Sequence, residues 1–131
     1  MASAQAVLIY ELSKAVPFTV ADGASIEKGD FLQLGDNMTV SLTSAADQKV
    51  IGIAAEEKVA NDGKTKIAVY LSGIFRVEAG STCTVGYEAV LFGKNEVENY
   101  DTLDAEVGKK CGRFLETGVN GEFVMMALNC L

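Results

Sequence analysis

Phe31-Leu32-Gln33-Leu34-Gly35-Asp36-Asn37-Met38-Thr39-Val40-Ser41-Leu42 carries the clearest structural signal in the chain. An apolar run meets Gly-Asp-Asn, and a second run then alternates with period two. Side chains of a strand alternate between faces, and Gly, Asp and Asn tolerate a tight reversal. The stretch therefore predicts strand, turn, strand. The same grammar extends outward on both sides.

Upstream, Val7-Leu8-Ile9-Tyr10 is a β-branched and aromatic run, and Val16-Pro17-Phe18-Thr19-Val20 contains the chain's one proline, a sign of an edge or a strand start. Downstream, Val50-Ile51-Gly52-Ile53-Ala54 reads as a buried strand. Asn61-Asp62-Gly63-Lys64 is a tight turn before the strand at 66–71. Strands are further expected at 74–77, 89–92, 96–98, 113–115 and 122–128. Long helical periodicity is absent, and the best helix candidate is 100–107, with Asp101 as a cap. Turn signals every 8–12 residues or so point to an all-β chain, a small β-barrel or a β-sandwich-like domain built of short hairpins.

Residues 15–131 are expected to form a single β-barrel domain, and residues 1–14 an N-terminal arm or a first strand. Glycines repeat a rhythm: Gly29, Gly35 and Gly52 in one half, Gly86, Gly93 and Gly108 in the other. Hairpins need glycine wherever they turn, but the spacing also fits a duplicated hairpin unit within one barrel.

Composition restricts the chemistry. The 131 residues hold 18 Asp and Glu against 11 Lys and Arg, a net charge of −7, and no His. Without His, the commonest general base, the commonest metal ligand and every Ser-His or Cys-His pair are gone. An acidic balance argues against nucleic acid as a direct partner, because that affinity rests on clustered Lys and Arg. Cys83, Cys111 and Cys130 form no C-x-x-C pair and read as small apolar residues in a reducing compartment. The first ten residues lack the basic start of a signal peptide, and the longest apolar runs, 6–10 and 123–128, are far too short to span a membrane.

No motif supplies a catalytic or cofactor site. Asp101-Thr102-Leu103-Asp104 departs from the order of a calcium loop, and no phosphate-cradling glycine pattern occurs. Glu56-Glu57, Asp101, Asp104 and Glu106 read as solvated carboxylates. Val124-Met125-Met126-Ala127 lacks the lysine of a carrier-domain hairpin and reads as a final core strand. We therefore expect no catalytic residue, no metal and no cofactor. A contact surface is the better expectation. Its candidates are Val7, Leu8, Ile9 and Tyr10, which could add to a partner's sheet edge, with Phe75 and Arg76 as a weaker pair.

Several stretches together resemble a known family. They are Gly23-Ala24-Ser25-Ile26-Glu27-Lys28-Gly29-Asp30-Phe31-Leu32-Gln33-Leu34, Val50-Ile51-Gly52-Ile53-Ala54, Val69-Tyr70-Leu71-Ser72-Gly73-Ile74-Phe75-Arg76-Val77 and Thr84-Val85-Gly86-Tyr87-Glu88-Ala89-Val90, followed by Val107-Gly108 and the last strand. In order and spacing they are similar to the capsid cement, or head-decoration, proteins of tailed bacteriophages. The acidic segment 95–110 and the apolar leader depart from the family pattern. The resemblance implies a homotrimer assembled in the host cytoplasm. It implies binding to the major capsid protein on the outer surface of the mature head, with no membrane partner. Another virion β-module, for tail or head-fibre attachment, and a small-ligand-binding β-barrel are the alternatives.

Overall fold

The computed structural model describes residues 5–46, 48–100 and 109–129. Within them are eleven strands and no helix: β1 Val7–Tyr10, β2 Val16–Val20, β3 Phe31–Asp36, β4 Thr39–Leu42, β5 Val50–Ala54, β6 Lys66–Tyr70, β7 Ser72–Ala79, β8 Glu88–Gly93, β9 Glu96–Asn99, β10 Gly112–Phe114 and β11 Phe123–Asn129. The chain is all-β, as its pattern predicts. The helix expected at 100–107 lies outside the described residues, apart from Tyr100, and so does Cys130.

The strands divide between two sheets, where one barrel over 15–131 was expected. Strands β2 to β6 close on themselves in the order β2-β4-β3-β5-β6. Strands β7 to β11 repeat every one of those connections. The parallel pair β2–β4 returns as β7–β9. The antiparallel pairs β2–β6, β3–β4, β3–β5 and β5–β6 return as β7–β11, β8–β9, β8–β10 and β10–β11. The β7–β9 pairing closes the second ring, and β1 is appended to the outside of β7. Even the isolated bridge Ile26–Lys58 has a counterpart in Cys83–Gly118.

The repeat is a whole five-stranded barrel, larger than the duplicated hairpin suggested by the glycines. Its register runs through the pairing: Phe31–Ile53–Tyr70 in the first barrel corresponds to Glu88–Arg113–Ala127 in the second. Gly29 and Gly86 are true counterparts, with φ of 95° and 88°. Gly52 matches Gly112, not Gly108. At both, a Cβ would collide with a carbonyl oxygen of the adjoining strand, Tyr70 or Ala127, so neither position accepts a side chain. Met38 and Asn95, at the tips of the β3–β4 and β8–β9 hairpins, share the left-handed conformation, at φ 50° and 60°.

Each barrel has its own apolar filling. Phe18, Val20, Ile26, Leu32, Ile67 and Val69 pack the first. Phe75, Val77, Leu91, Phe114, Val124 and Met126 pack the second, and Phe31, Val50 and Ile53 of the first barrel join them, with Tyr70 against the edge. Burying each such side chain contributes about 1.5–3 kcal/mol. One side of the first barrel thus completes the second. The join is pinned by Asn95, whose Oδ1 accepts the Phe31 N–H at 2.9 Å while its Nδ2 donates to Asp30 Oδ1 at 2.9 Å.

Lys58 is a buried cation that its sequence context hides. Its Nζ donates to Asp22 O at 2.7 Å, Val59 O at 2.8 Å, Asp62 Oδ1 at 2.6 Å and Asp22 Oδ1 at 3.2 Å. Burial pushes its pKa down, but the hydrogen bonds it donates to Asp62 and Asp22, with the charges of those carboxylates, outweigh that and hold it above the ordinary lysine value. The ammonium ties together two loops that the second barrel joins without a cation, since Gly118 stands there.

Candidate interface on the second barrel

Strand pairing aligns residues of β1, β7, β11, β10 and β8 into rows across the second sheet. One inward row is Leu8–Phe75–Met126–Phe114. Two outward rows flank it: Val7–Arg76–Met125, and Tyr10–Ile74–Ala127–Arg113–Glu88. None of the outward residues is buried. Apolar and basic side chains therefore share one face.

The six candidates from the sequence divide between the two sides of this sheet. Val7, Ile9 and Tyr10 are exposed, and Arg76 lies beside Val7 on the same face. Leu8 is half-buried against the second barrel's core. Phe75 points inward as well, buried, with its ring edge-on to Tyr70 at 5.8 Å. Its immediate neighbours Ile74 and Arg76 face outward, which the strand pattern allowed but did not decide. Residues 7–10 form a strand of the second sheet, and a bulge between Leu8 and Tyr10 shifts the register there.

The leader passes its own barrel and pairs with the second, and proline supplies a physical reason. In the repeat register, Pro17 stands where Arg76 stands, and Arg76 is the partner of Val7. Proline has no N–H, so an edge carrying it is a poor template for another strand.

Sequence reasoning missed Ile74, Met125 and Arg113 as surface members. A signal was present: Arg76 and Arg113 are the chain's two arginines, and both fall on this face. Arg113 donates from Nη1 to Gly86 O at 2.6 Å, which holds its guanidinium against the sheet. Beside it lies a recess of about 270 Å³ lined by Glu88, Lys110, Gly112, Arg113, Ala127 and Asn129. Lys110 Nζ pairs with Glu88 at 3.3 Å and sits 5.0 Å from the centre of the Tyr100 ring. The recess is small beside ordinary ligand pockets of roughly 300–1,000 Å³ and opens on charged groups.

The rest of the molecule holds little chemistry. Among the described residues, no group of three or more His, Cys, Asp or Glu is placed to hold a metal ion. Burial pushes the thiols of Cys83 and Cys111 up to about 12, with the Glu98 charge adding to the shift at Cys83. Both therefore stay protonated and unreactive near neutral pH. A hydrogen bond from Lys64 lowers the Glu56 carboxyl, against the opposing effect of burial.

No family model matches the chain, and no curated protein matches it. Among solved structures, the fold is similar to that of the N base of head fiber gp8.5 in bacteriophage phi29. The TM-score is 0.58, with 14% identity over 88% of this chain and 93% of that one. At that identity the likeness is one of fold, and it spans both barrels.

Proposed function

We propose that the chain is a structural virion protein of a tailed phage. It decorates the outer surface of the mature head and stabilises contacts between major capsid protein subunits. The observation that carries this reading is the two-barrel fold it has in common, nearly end to end, with a phage head-fibre base. The outward face of the second sheet supports it. Tyr10, Val7, Ile74 and Met125 beside two arginines have the composition of an interface core, where aromatic residues, Met and Arg are enriched. Binding at many equivalent shell positions adds avidity, and the bound shell state gains stability by mass action. The homotrimer and the assembly in host cytoplasm belong to the same reading, through the cement-family resemblance.

A head-fibre attachment module is the second reading, favoured by the name of the similar structure. A ligand-binding barrel is less well supported, because both barrel interiors are filled by side chains. Sedimenting expanded shells with the purified protein tests the proposal. Co-sedimentation to saturation, with a raised shell melting temperature, supports it. Protein left in the supernatant at every shell concentration refutes it.

A further inference from the structure

The two barrels carry the same loop, and only one copy of it is covered. In the first barrel, the Asp30 N–H closes a turn on Glu27 O, and the Gly29 N–H reaches Ala54 O. In the second, the Tyr87 N–H closes the turn on Thr84 O, and the Gly86 N–H reaches Phe114 O. The chain's own leader lies across the first copy. Ala6 donates its N–H to Gly29 O at 2.9 Å, and a Cβ on Gly29 would collide with Ala6 O, so Gly29 is buried. Gly86 is exposed, and a Cβ there would meet nothing within 4 Å among the described residues.

The surroundings of the open copy differ from those of the covered one. Val85, Tyr87 and Leu115 stand where the first barrel has Lys28, Asp30 and Ala55. They are 56%, 53% and 40% exposed. Large apolar side chains grouped at exposed positions mark a contact surface. The charges at the border are balanced. Lys110 pairs with Glu88 at 3.3 Å, Arg113 donates to Gly86 O at 2.6 Å, and Glu116 accepts the Met125 N–H at 2.9 Å. Two cations and two carboxylates favour a ligand of neither sign. A carbonyl oxygen has two lone pairs, so Gly86 O can still accept an N–H like the one Ala6 supplies to Gly29.

We infer that Gly86, with Val85, Tyr87 and Leu115, docks an extended, uncharged segment of the major capsid protein. The segment crosses Gly86 as the leader crosses Gly29, with a small residue (Gly, Ala or Ser) at the closest approach. The inference rests on the proposed shell binding and names the partner element. Two observations select that occupant. The leader of a further copy is not spare, because Gln5 and Ala6 already lie on Gly29 and residues 7–10 on β7. The site also runs on from the face proposed to meet the shell: the Leu115 N–H donates to Met125 O, and Met125 stands in the row Val7–Arg76–Met125.

Co-sedimentation of the purified protein with expanded shells tests this. Tyr87→Glu and Leu115→Glu each place a charge in the contact and are expected to weaken shell binding by about 10-fold or more, with unchanged circular dichroism spectra. Leu34→Glu, at an exposed apolar position of the first barrel, leaves binding at the wild-type level. With the photo-crosslinker p-benzoylphenylalanine in place of Tyr87, irradiation of loaded shells joins the chain to one short capsid-protein segment containing Gly, Ala or Ser. Wild-type protein that binds shells while both Glu variants bind equally well overturns this inference alone, as does a cross-link made only to another copy of the chain. Wild-type protein that fails to bind shells overturns the proposed function and this inference with it.

Discussion

Asn95→Ala removes the side chain that joins the barrels, and its cost can be worked out from its partners. The Phe31 N–H loses its acceptor at 2.9 Å in a buried setting, and Asp30 loses a donor at 2.9 Å. Asp30 keeps its bond from the Glu27 N–H. An orphaned buried N–H costs about 1–3 kcal/mol, and a lost hydrogen bond to a charged group about 1.5–3 kcal/mol. Alanine also tolerates the φ of 60° less well than asparagine. The sum is about 3–5 kcal/mol, or a fall in Tm of roughly 10–20 °C for a chain of this size. Met38→Ala is the matched control. It sits at the same turn position with φ 50°, yet its side chain is exposed, so a change under about 1 kcal/mol is expected. Denaturant unfolding of both variants, followed by circular dichroism, reads the difference. If Asn95→Ala costs no more than Met38→Ala, the barrels are not held together as described.

Other outcomes follow from the same contacts. Leu8→Ala, which opens a space against the second barrel's core, is expected to cost about 2 kcal/mol in urea unfolding, while Val7→Lys on the exposed face changes stability by less than about 0.5 kcal/mol. In a Cys130→Ser background, a thiol reagent at pH 8 should label neither Cys83 nor Cys111 until the protein is unfolded, since both are buried with pKa values of about 12. Glu56 and Asp62 have lowered pKa values in the fold, so the stability they add is present above their unfolded pKa values and lost as pH falls through the folded ones. Lys58 is shifted up, so its contribution is present below its unfolded pKa and fades as pH rises through the folded one. A melting profile from pH 2 to 11 should therefore drop at both ends.

Local structure was readable because local rules govern it. The run from Phe31 to Leu42 announces its hairpin, and the strands at 7–10, 16–20 and 50–54 appear where β-branched residues cluster. Closure was not readable. The parallel pairs β2–β4 and β7–β9 turn two meanders into two rings, and they join residues with no shared local pattern. The glycine rhythm pointed to the repeat but mispaired two of its three positions: Gly93 is the counterpart of Asp36, one residue past Gly35, and Gly52 matches Gly112 because the segment before β10 is three residues longer than its counterpart before β5. Nothing in the sequence singles out Lys58, since its cage comes from Asp22, far away in sequence, as well as Asp62. For the candidate surface, alternation along β7 placed Phe75 and Arg76 on opposite faces without saying which was inward. That was decided by what covers the sheet: the second barrel's core and Tyr70 pack against the Phe75 face.

Electron microscopy of expanded heads with and without this protein tests the central claim most directly. Added density on the outer shell surface, into which the two-barrel fold docks with the Tyr10–Arg76 face toward the capsid protein, is the predicted result. Heads with identical maps in both preparations would contradict it.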